Sequence, residues 1–218
     1  MLQKVPASDL SDLQGRCRVR RVARNKPIYL PADPADGVLL LAAGRAKVCS
    51  LTRQGKQVIL SLVEPGEIFG ELAVVAPGVR ENYAEAIEDS KVVLIPTEAL
   101  QERWQRYPDV ALELGGLIGR RRQRLERRLK YLLFRSKRER LVHLLLELVE
   151  QYGVPTTRGT QLAIQLSHQD LASIIGSTRE TVTMLLGELQ TEGHLIIGRR
   201  RIVLTDVARL AATVDPAD

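Results

Sequence analysis

Hydrophobic residues in the first hundred positions form short runs separated by turn residues. The runs are rich in valine, isoleucine and leucine, and Gly44, Gly55 and Gly66 fall eleven residues apart between them. Short apolar runs bounded by glycine and proline are typical of strands joined by tight turns. The pattern predicts an antiparallel barrel or roll over about residues 16–96, with strands at VLLLAA, AKVCSLT, KQVILSLV and KVVLIP.

The periodicity then changes to that of helices. A short helix is expected to begin at Thr97 and to end before Pro108, after which no proline interrupts the chain up to about residue 134. Ser136 and Glu139 have the spacing of a capping box and begin the next helix. The change from one helix to the next predicts a hinge near residues 134–137.

The long helix predicted over residues 109–135 carries an apolar seam that favours dimerisation through this segment. Its members are Leu114, Ile118, Leu125, Leu129 and Leu132. Arg121 occupies a position where an apolar seam residue is expected. A charge in such a place needs compensation, which either a carboxylate such as Glu126 or a bound anion would provide.

Two short amphipathic helices joined by a glycine turn are predicted between residues 166 and 189. Ser167 and Asp170 give the first a capping-box start, Gly176 ends it, and Ser177 with Glu180 repeats the cap for the second. Apolar positions recur at helical spacing; they are Leu171, Ile174, Ile175, Val182, Leu185, Leu186 and Leu189. The pair is typical of a helix-turn-helix, although many purely structural helix pairs share the pattern.

A β-rich stretch after this pair strengthens the DNA-binding interpretation. The pattern of residues 194–204 predicts a β-hairpin whose tip contains Arg199, Arg200 and Arg201. A helix-turn-helix followed by such a hairpin is a winged helix, in which the tip arginines would pair with backbone phosphates.

Composition narrows the class of protein. The chain has 218 residues with a formal charge of +6, but residues 109–135 hold 8 basic and 3 acidic side chains, whereas residues 136–218 hold 9 and 10. Net charge is therefore weak support for DNA binding. The absence of a long apolar run or an apolar leader predicts a cytoplasmic protein without membrane association.

Other chemistry is not indicated by the sequence. Cys17 and Cys49 show no metal-ligand spacing and are expected to be buried free thiols, so no metal site is predicted. The three histidines have no motif-spaced nucleophile, metal set or phosphate loop, so an enzyme is not expected; they are His143, His168 and His194.

The chain resembles the CRP/FNR superfamily of transcription regulators over nearly its whole length. The motifs that carry the resemblance are PGEIFGEL with Arg80, which looks like a cyclic-nucleotide phosphate cassette, then RERLVHLLLEL, and STRETVTMLLGEL, which resembles a recognition helix. The DNA-binding part is most similar to the NtcA-like branch. The resemblance implies an α+β fold: an N-terminal antiparallel β-roll at 1–108, a dimerisation helix at 109–135 and a winged helix-turn-helix at 136–218.

The resemblance also assigns DNA contacts. Arg179 should read a guanine and Glu180 should accept from a cytosine amino group, which implies a half-site containing G and C. Thr183 and Met184 belong to the same base-reading set, and Met184 stands where relatives commonly have arginine. The implied phosphate contacts are His168, Gln169, Ser177, Arg199, Arg200 and Arg201.

The sequence leaves more than one effector open. The effector pocket implied by the resemblance comprises Phe69, Gly70, Glu71, Leu72, Arg80, Arg121 and Glu126. Glu81 follows Arg80 and would repel a phosphate, which disfavours cyclic AMP. Arg80, Arg121 and Glu126 match positions of a 2-oxoglutarate site, but Glu71 brings a negative charge to it. Internal pairs such as Glu71 to Arg80 or Glu126 to Arg121 would fill the site without a ligand. The first preference is therefore that the protein needs no effector or has an unknown one. The second is 2-oxoglutarate, and the last is cyclic AMP.

These observations predict a homodimeric regulator that binds a pseudo-palindromic operator in double-stranded DNA, with RNA polymerase as a further partner and a small anionic effector as a gate. The alternative is a cyclic-nucleotide-binding module whose C-terminal domain does not read DNA sequence.

Overall fold

The computed structural model describes residues 7–76, 78–198 and 201–214. The chain divides into two compact units, Met1–Gln123 and Arg124–Asp218. The division lies inside the long helix that the sequence pattern treats as a separate segment, because the first part of that helix packs in the first unit.

The first unit contains two four-stranded antiparallel sheets. In chain order the strands are β1 (Arg18–Val22), β2 (Pro27–Tyr29), β3 (Gly37–Ala43), β4 (Ala46–Leu51), β5 (Gln57–Val63), β6 (Ile68–Phe69), β7 (Tyr83–Ala86) and β8 (Ser90–Pro96). They pair in the orders β1-β8-β3-β6 and β2-β7-β4-β5. The prediction of an antiparallel β-roll within an α+β fold is confirmed.

All eight strands contribute side chains to one core, whose fully buried members include Leu41, Val63 and Phe69. The predicted glycine turns at residues 44, 55 and 66 have φ angles of +79°, +75° and +87°. At Gly44 a Cβ atom would also lie 2.4 Å from Oγ of Ser90, so both backbone angle and space require glycine there. The spacing of these glycines predicted the turns correctly, because a left-handed backbone conformation depends mainly on the residue at that position.

The helices of the first unit are α1 (Ala7–Arg16), α2 (Leu72–Val75) and α3 (Thr97–Arg106), with α4 (Pro108–Phe134) continuing into the second unit. A second apolar cluster joins them to the β-roll through Leu13, Ile95, Leu100 and Leu114. The sequence pattern indicated α3 and α4 but not α1.

The apolar seam of α4 does not form one continuous exposed face. Leu114 is only 4 % exposed and Ile118 packs against the same cluster, whereas Leu125, Leu129 and Leu132 are exposed. The expectation that Leu114 belongs to a dimer seam is therefore wrong. Helical periodicity identifies an apolar face but does not specify the neighbour that covers it.

The second unit combines helices with a small sheet. Its elements are α5 (Lys137–Tyr152), β9 (Gly153–Thr156), β10 (Gly159–Leu162), α6 (His168–Ile175), α7 (Arg179–Thr191), β11 (Leu195–Gly198), β12 (Arg201–Leu204) and α8 (Val207–Ala211). The strands pair in the order β11-β12-β10-β9. The capping box of Ser136 with Glu139 and the predicted hairpin of residues 194–204 are both present. The β9–β10 hairpin was not predicted, since GVPT and GTQL lack the apolar alternation of a strand.

Candidate DNA-reading surface and sensor site

The turn between α6 and α7 is built by local caps. The Ser167 hydroxyl accepts from the Asp170 amide and the Asp170 carboxylate accepts from the Ser167 amide, which is the predicted capping box. At the other end of α6, Gly176 adopts φ +64°, and a Cβ there would lie 2.7 Å from Leu132 Cδ2. Arg140 donates to the terminal carbonyl of Ile175 at 2.9 Å, which places a cation at the negative end of the helix dipole.

The cap predicted for α7 at Ser177 is wrong. The N-cap is Thr178, whose hydroxyl accepts from the Thr181 amide. Ser177 closes the preceding helix instead, because its amide donates to the Ala172 carbonyl at 3.0 Å. Its hydroxyl is buried without a hydrogen-bond partner among the described residues. Glu180 therefore stands one position earlier in the first turn than the predicted capping box requires.

The two serines give a matched stability test. Ser167→Ala removes a cap and should lower the free energy of unfolding by about 0.5–2 kcal/mol. Ser177→Ala removes a hydroxyl that has no hydrogen-bond partner in the described part of the chain, and it should leave the free energy of unfolding within about 0.5 kcal/mol of wild type. Urea denaturation followed by circular dichroism measures both. An equal loss of unfolding free energy in the two variants would show that Ser177 does act as a helix cap.

The four residues assigned to base reading share the outward face of α7. Arg179, Glu180, Thr183 and Met184 are exposed, whereas Val182, Leu185, Leu186 and Leu189 are buried. Hydrogen bonds from its own backbone amide and from the Thr178 hydroxyl hold the pKa of Glu180 below its usual value. The carboxylate is therefore ionised at neutral pH and can act as an acceptor.

A hydrogen-bonded chain connects α6 to this face. Thr183 donates to the Arg179 carbonyl at 2.9 Å, and its oxygen lies 2.8 Å from Nδ1 of His168. With the Thr183 proton on the Arg179 carbonyl, Nδ1 of His168 would be the donor to Thr183, and Nε2 would carry no proton in the neutral ring. Partial burial, and secondly the charge of Arg179, lowers the pKa of His168. A phosphate contact from Nε2 consequently requires protonation of the ring.

The other residues assigned to phosphate contacts differ in their surroundings. Gln169 is exposed and donates to the Ser173 hydroxyl at 3.3 Å. Arg201 is exposed on β12 and lines, with His168, Gln169 and Arg179, a groove of about 520 Å³. Arg199 and Arg200 lie outside the described residues. The described part of the surface thus brings α6, α7 and the wing hairpin together.

Contacts that the sequence did not reveal fix the wing relative to α7. The Gln190 side chain accepts from the Ile197 amide at 3.0 Å, and the Thr205 hydroxyl donates to the Gly193 carbonyl at 2.7 Å. On α5, Arg138 pairs with both Glu188 and Glu192. The only sequence signal for these links was the polar character of the residues.

The residues of the predicted effector pocket differ in their exposure and in their contacts. Phe69 is fully buried in the β-roll core, whereas Leu72 at the start of α2 and Glu126 on α4 are exposed. Arg80 is 6 % exposed and donates to the carbonyls of Gly70 at 2.9 Å and Gly37 at 2.6 Å. Gly70 itself has φ +68°, and a Cβ on it would lie 2.5 Å from the Arg80 guanidinium.

Arg121 is compensated by a residue that was not its predicted partner. Its guanidinium lies 2.8 Å from the Glu71 carboxylate and donates to the Ile68 carbonyl at 2.6 Å. Both side chains are largely buried, at 13 % and 16 % exposure. The suggested pairings of Glu71 with Arg80 and of Glu126 with Arg121 are wrong; the observed pair joins residues fifty positions apart.

Tyr29 completes the surroundings of Arg80. The Arg80 guanidinium lies 4.7 Å above the Tyr29 ring, and the Tyr29 hydroxyl donates to Asn82 at 2.9 Å. Burial, opposed by the charge of Arg80, raises the pKa of Tyr29 to about 12. The phenol is therefore a neutral donor at all physiological pH values.

Within the described ranges, no group of three or more His, Cys, Asp or Glu side chains is placed to hold a metal ion. None of the helices described there is both long and apolar enough to cross a bilayer.

Comparison with known proteins agrees with this architecture. The family described as cyclic nucleotide-binding domain matches residues 19–107, and the Crp-like helix-turn-helix domain matches residues 139–213. The global nitrogen regulator of Nostoc sp. is 33 % identical over 85 % of this chain and 84 % of its own length. The cyclic AMP receptor protein of Thermus thermophilus is 30 % identical over 88 % and 85 %. The structure of FixK2 from Bradyrhizobium japonicum has a TM-score of 0.79 at 26 % identity and covers 93 % of this chain and 99 % of that one.

The fold, the surface and these relatives define a DNA-binding transcription regulator with an N-terminal domain of the cyclic-nucleotide-binding type. The chain belongs to the CRP/FNR superfamily. Of the two functions that the sequence left open, the regulator is therefore supported over the module that does not read DNA.

Proposed function

We propose that the protein acts as a homodimer in which two α7 helices read a pseudo-palindromic operator in successive major grooves, roughly 34 Å apart. The observation that carries this proposal is that the four residues assigned to base reading are exposed on one face of α7 beside the wing hairpin. Arg179 would donate two hydrogen bonds to a guanine, and Glu180 would accept from a cytosine. Thr183 and Met184 would complete base reading, with Met184 offering only an apolar contact to a thymine methyl group.

The phosphate contacts surround this face. Gln169 and Arg201 are exposed beside α7 and would bind the DNA backbone, as would Arg199 and Arg200. Ser177 is a weaker candidate, since its hydroxyl is buried. His168 would bind phosphate in its protonated form, so DNA should raise its pKa.

Selection from random DNA tests the proposal directly. The wild-type protein should enrich a two-fold symmetric sequence with G and C in each half-site, and its affinity for that sequence should fall steeply with salt. Enrichment without symmetry would contradict a dimeric reader, and affinity independent of salt would contradict phosphate contacts.

The apolar residues at the C-terminal end of α4 support the dimer. Leu125, Leu129 and Leu133 are 42 %, 56 % and 66 % exposed and recur at four-residue spacing. Such a stripe on an exposed helix is typical of a helix–helix interface. RNA polymerase is proposed as the further partner because the family membership implies a regulator of transcription.

For the sensor, we propose that the Glu71–Arg121 pair occupies the place of an anionic effector. The Glu71 carboxylate supplies to Arg121 the charge that a ligand carboxylate would supply, and the pair joins the loop after β6 to α4 within the first unit. A free dicarboxylate such as 2-oxoglutarate would have to displace Glu71. An effector is therefore not required, 2-oxoglutarate ranks second, and cyclic AMP ranks last because Glu81 follows Arg80.

Removing Glu71 should create affinity for a dicarboxylate. In Glu71→Ala the Arg121 guanidinium loses its partner, so 2-oxoglutarate should bind at least about tenfold more tightly than to the wild type. Isothermal titration calorimetry measures the change, and Glu71→Ala/Arg121→Ala should abolish the gain. Tight binding to the wild type that Arg121→Ala removes would show that the pair opens for ligand, and would contradict an effector-free site.

A further inference from the structure

A cavity of about 310 Å³ opens at the edge of the β-roll formed by β1 and β2. We refer to it as the edge cavity. Its apolar wall consists of Ile28, Leu39, Val92 and Leu94, which belong to the core cluster or pack against it. The strands β1 and β2 each lie at one end of the strand order of their sheet, and β6 and β5 lie at the other ends. The edge cavity shares only Arg80 with the effector pocket implied by the family resemblance.

Two arginines of β1 extend the inner face of the sheet into this cavity. Arg18 pairs in register with Leu94, and Arg20 pairs with Val92, so their side chains share a face with the apolar wall. Arg20 donates to the Ile28 carbonyl across the gap between β1 and β2. The Arg18 guanidinium has no hydrogen-bond or ion-pair partner among the described residues.

The third cation of the edge cavity is Arg80, and it is the least accessible. Its Nε atom is buried without a hydrogen-bond partner among the described residues, although its terminal nitrogens are satisfied. A buried N–H without an acceptor is costly unless a ligand or water supplies one. With Arg18 and Arg20, Arg80 gives the edge cavity three guanidinium groups beside its apolar wall.

Two carboxylates also line the edge cavity and limit its charge. Asp33 accepts from the Leu30 amide at 2.8 Å, and its backbone carbonyl accepts from the Arg80 amide at 2.8 Å, so it is held in the turn before β3. Asp36 is exposed. With three arginines and two aspartates, the lining retains an excess of positive charge.

We propose that the edge cavity binds a small organic monocarboxylate with an uncharged apolar body. The carboxylate would accept hydrogen bonds from Arg18 and Arg20, which suit its planar geometry, while the body would cover the wall formed by Leu39 and Leu94. Inorganic phosphate would leave that wall in water. A ligand with an ammonium group on its body would carry a charge into an apolar space.

Calorimetry on the full chain with three probes tests the proposal. Hexanoate should bind saturably, whereas 6-aminohexanoate and inorganic phosphate should bind at least about tenfold more weakly. Preferential binding of 6-aminohexanoate or of phosphate would overturn the assigned ligand class. An absence of saturable binding by hexanoate would overturn the site.

Variants of β1 locate the binding. Arg18→Gln should weaken hexanoate binding about tenfold or more, since it removes a charge-assisted hydrogen bond. Arg21→Gln is the matched control, because Arg21 lies on the opposite face of the same strand and pairs in register with Lys91; it should leave binding unchanged. Arg121→Gln should also leave binding unchanged. Binding that survives Arg18→Gln but is lost in Arg121→Gln would move the ligand to the other pocket and contradict the proposal.

Arg18→Gln should fold normally because the replaced side chain has no described partner, and its thermal midpoint without ligand checks this. Its specific DNA affinity without hexanoate should equal that of the wild type, so failure of the edge cavity would leave the proposed DNA-binding function untouched.

Discussion

Replacing Leu129 by glutamate should convert the protein to a monomer and lower its affinity for the selected operator about a hundredfold or more. Leu129 is 56 % exposed on α4, in line with Leu125 and Leu133. In a dimer this position would be desolvated, and an unpaired carboxylate buried there costs about 3–5 kcal/mol. Because each subunit would hold only one half-site, loss of the dimer removes the second contact with DNA.

Leu112→Glu is the matched control for this prediction. Leu112 is another exposed leucine of α4, at 73 %, but it lies seventeen residues away and therefore about 100° around the helix axis. Sedimentation velocity should show a dimer for wild type and Leu112→Glu and a monomer for Leu129→Glu, with unchanged helix content by circular dichroism. If Leu129→Glu were still a dimer at micromolar concentration, α4 would not be the dimer interface.

Features set by neighbouring residues could be predicted from the sequence. The capping boxes at Ser136 and Ser167 and the end of α6 at Gly176 were predicted correctly because each depends on a few consecutive residues. The cap of α7 was wrong by one position, since Ser177 and Thr178 are both good caps. The choice falls on Thr178 because the Ser177 amide is already used to close α6.

Features set by distant residues could not be predicted in detail. Arg121 was recognised as a charge that needs a partner, but its partner Glu71 lies on another element. Hydrophobic periodicity likewise gave Leu114 and Leu129 the same role, whereas the β-roll covers only the first. In both cases the residue type showed that the side chain needs a partner or a covering surface. Only the folded structure shows which residues provide it.

Replacing Arg179 by alanine should lower affinity for the selected operator by about 1–3 kcal/mol and relax discrimination at one base pair of each half-site. Arg179 is exposed at the first position of α7, and its guanidinium has no hydrogen-bond or ion-pair partner among the described residues. Its removal should therefore cost little folding stability. Affinity for random DNA should change far less, because a base contact contributes only where the base is correct.

Arg201→Ala separates base reading from phosphate binding. Arg201 is exposed beside the same groove but on β12, where a contact to the DNA backbone is expected. Its loss should weaken binding to operator and random DNA alike and reduce the salt dependence by about one counterion. Fluorescence anisotropy with both DNAs at several salt concentrations distinguishes the variants. If Arg179→Ala weakened both DNAs equally, Arg179 would be a phosphate contact, and the base-reading role would have to lie with Glu180, Thr183 or Met184.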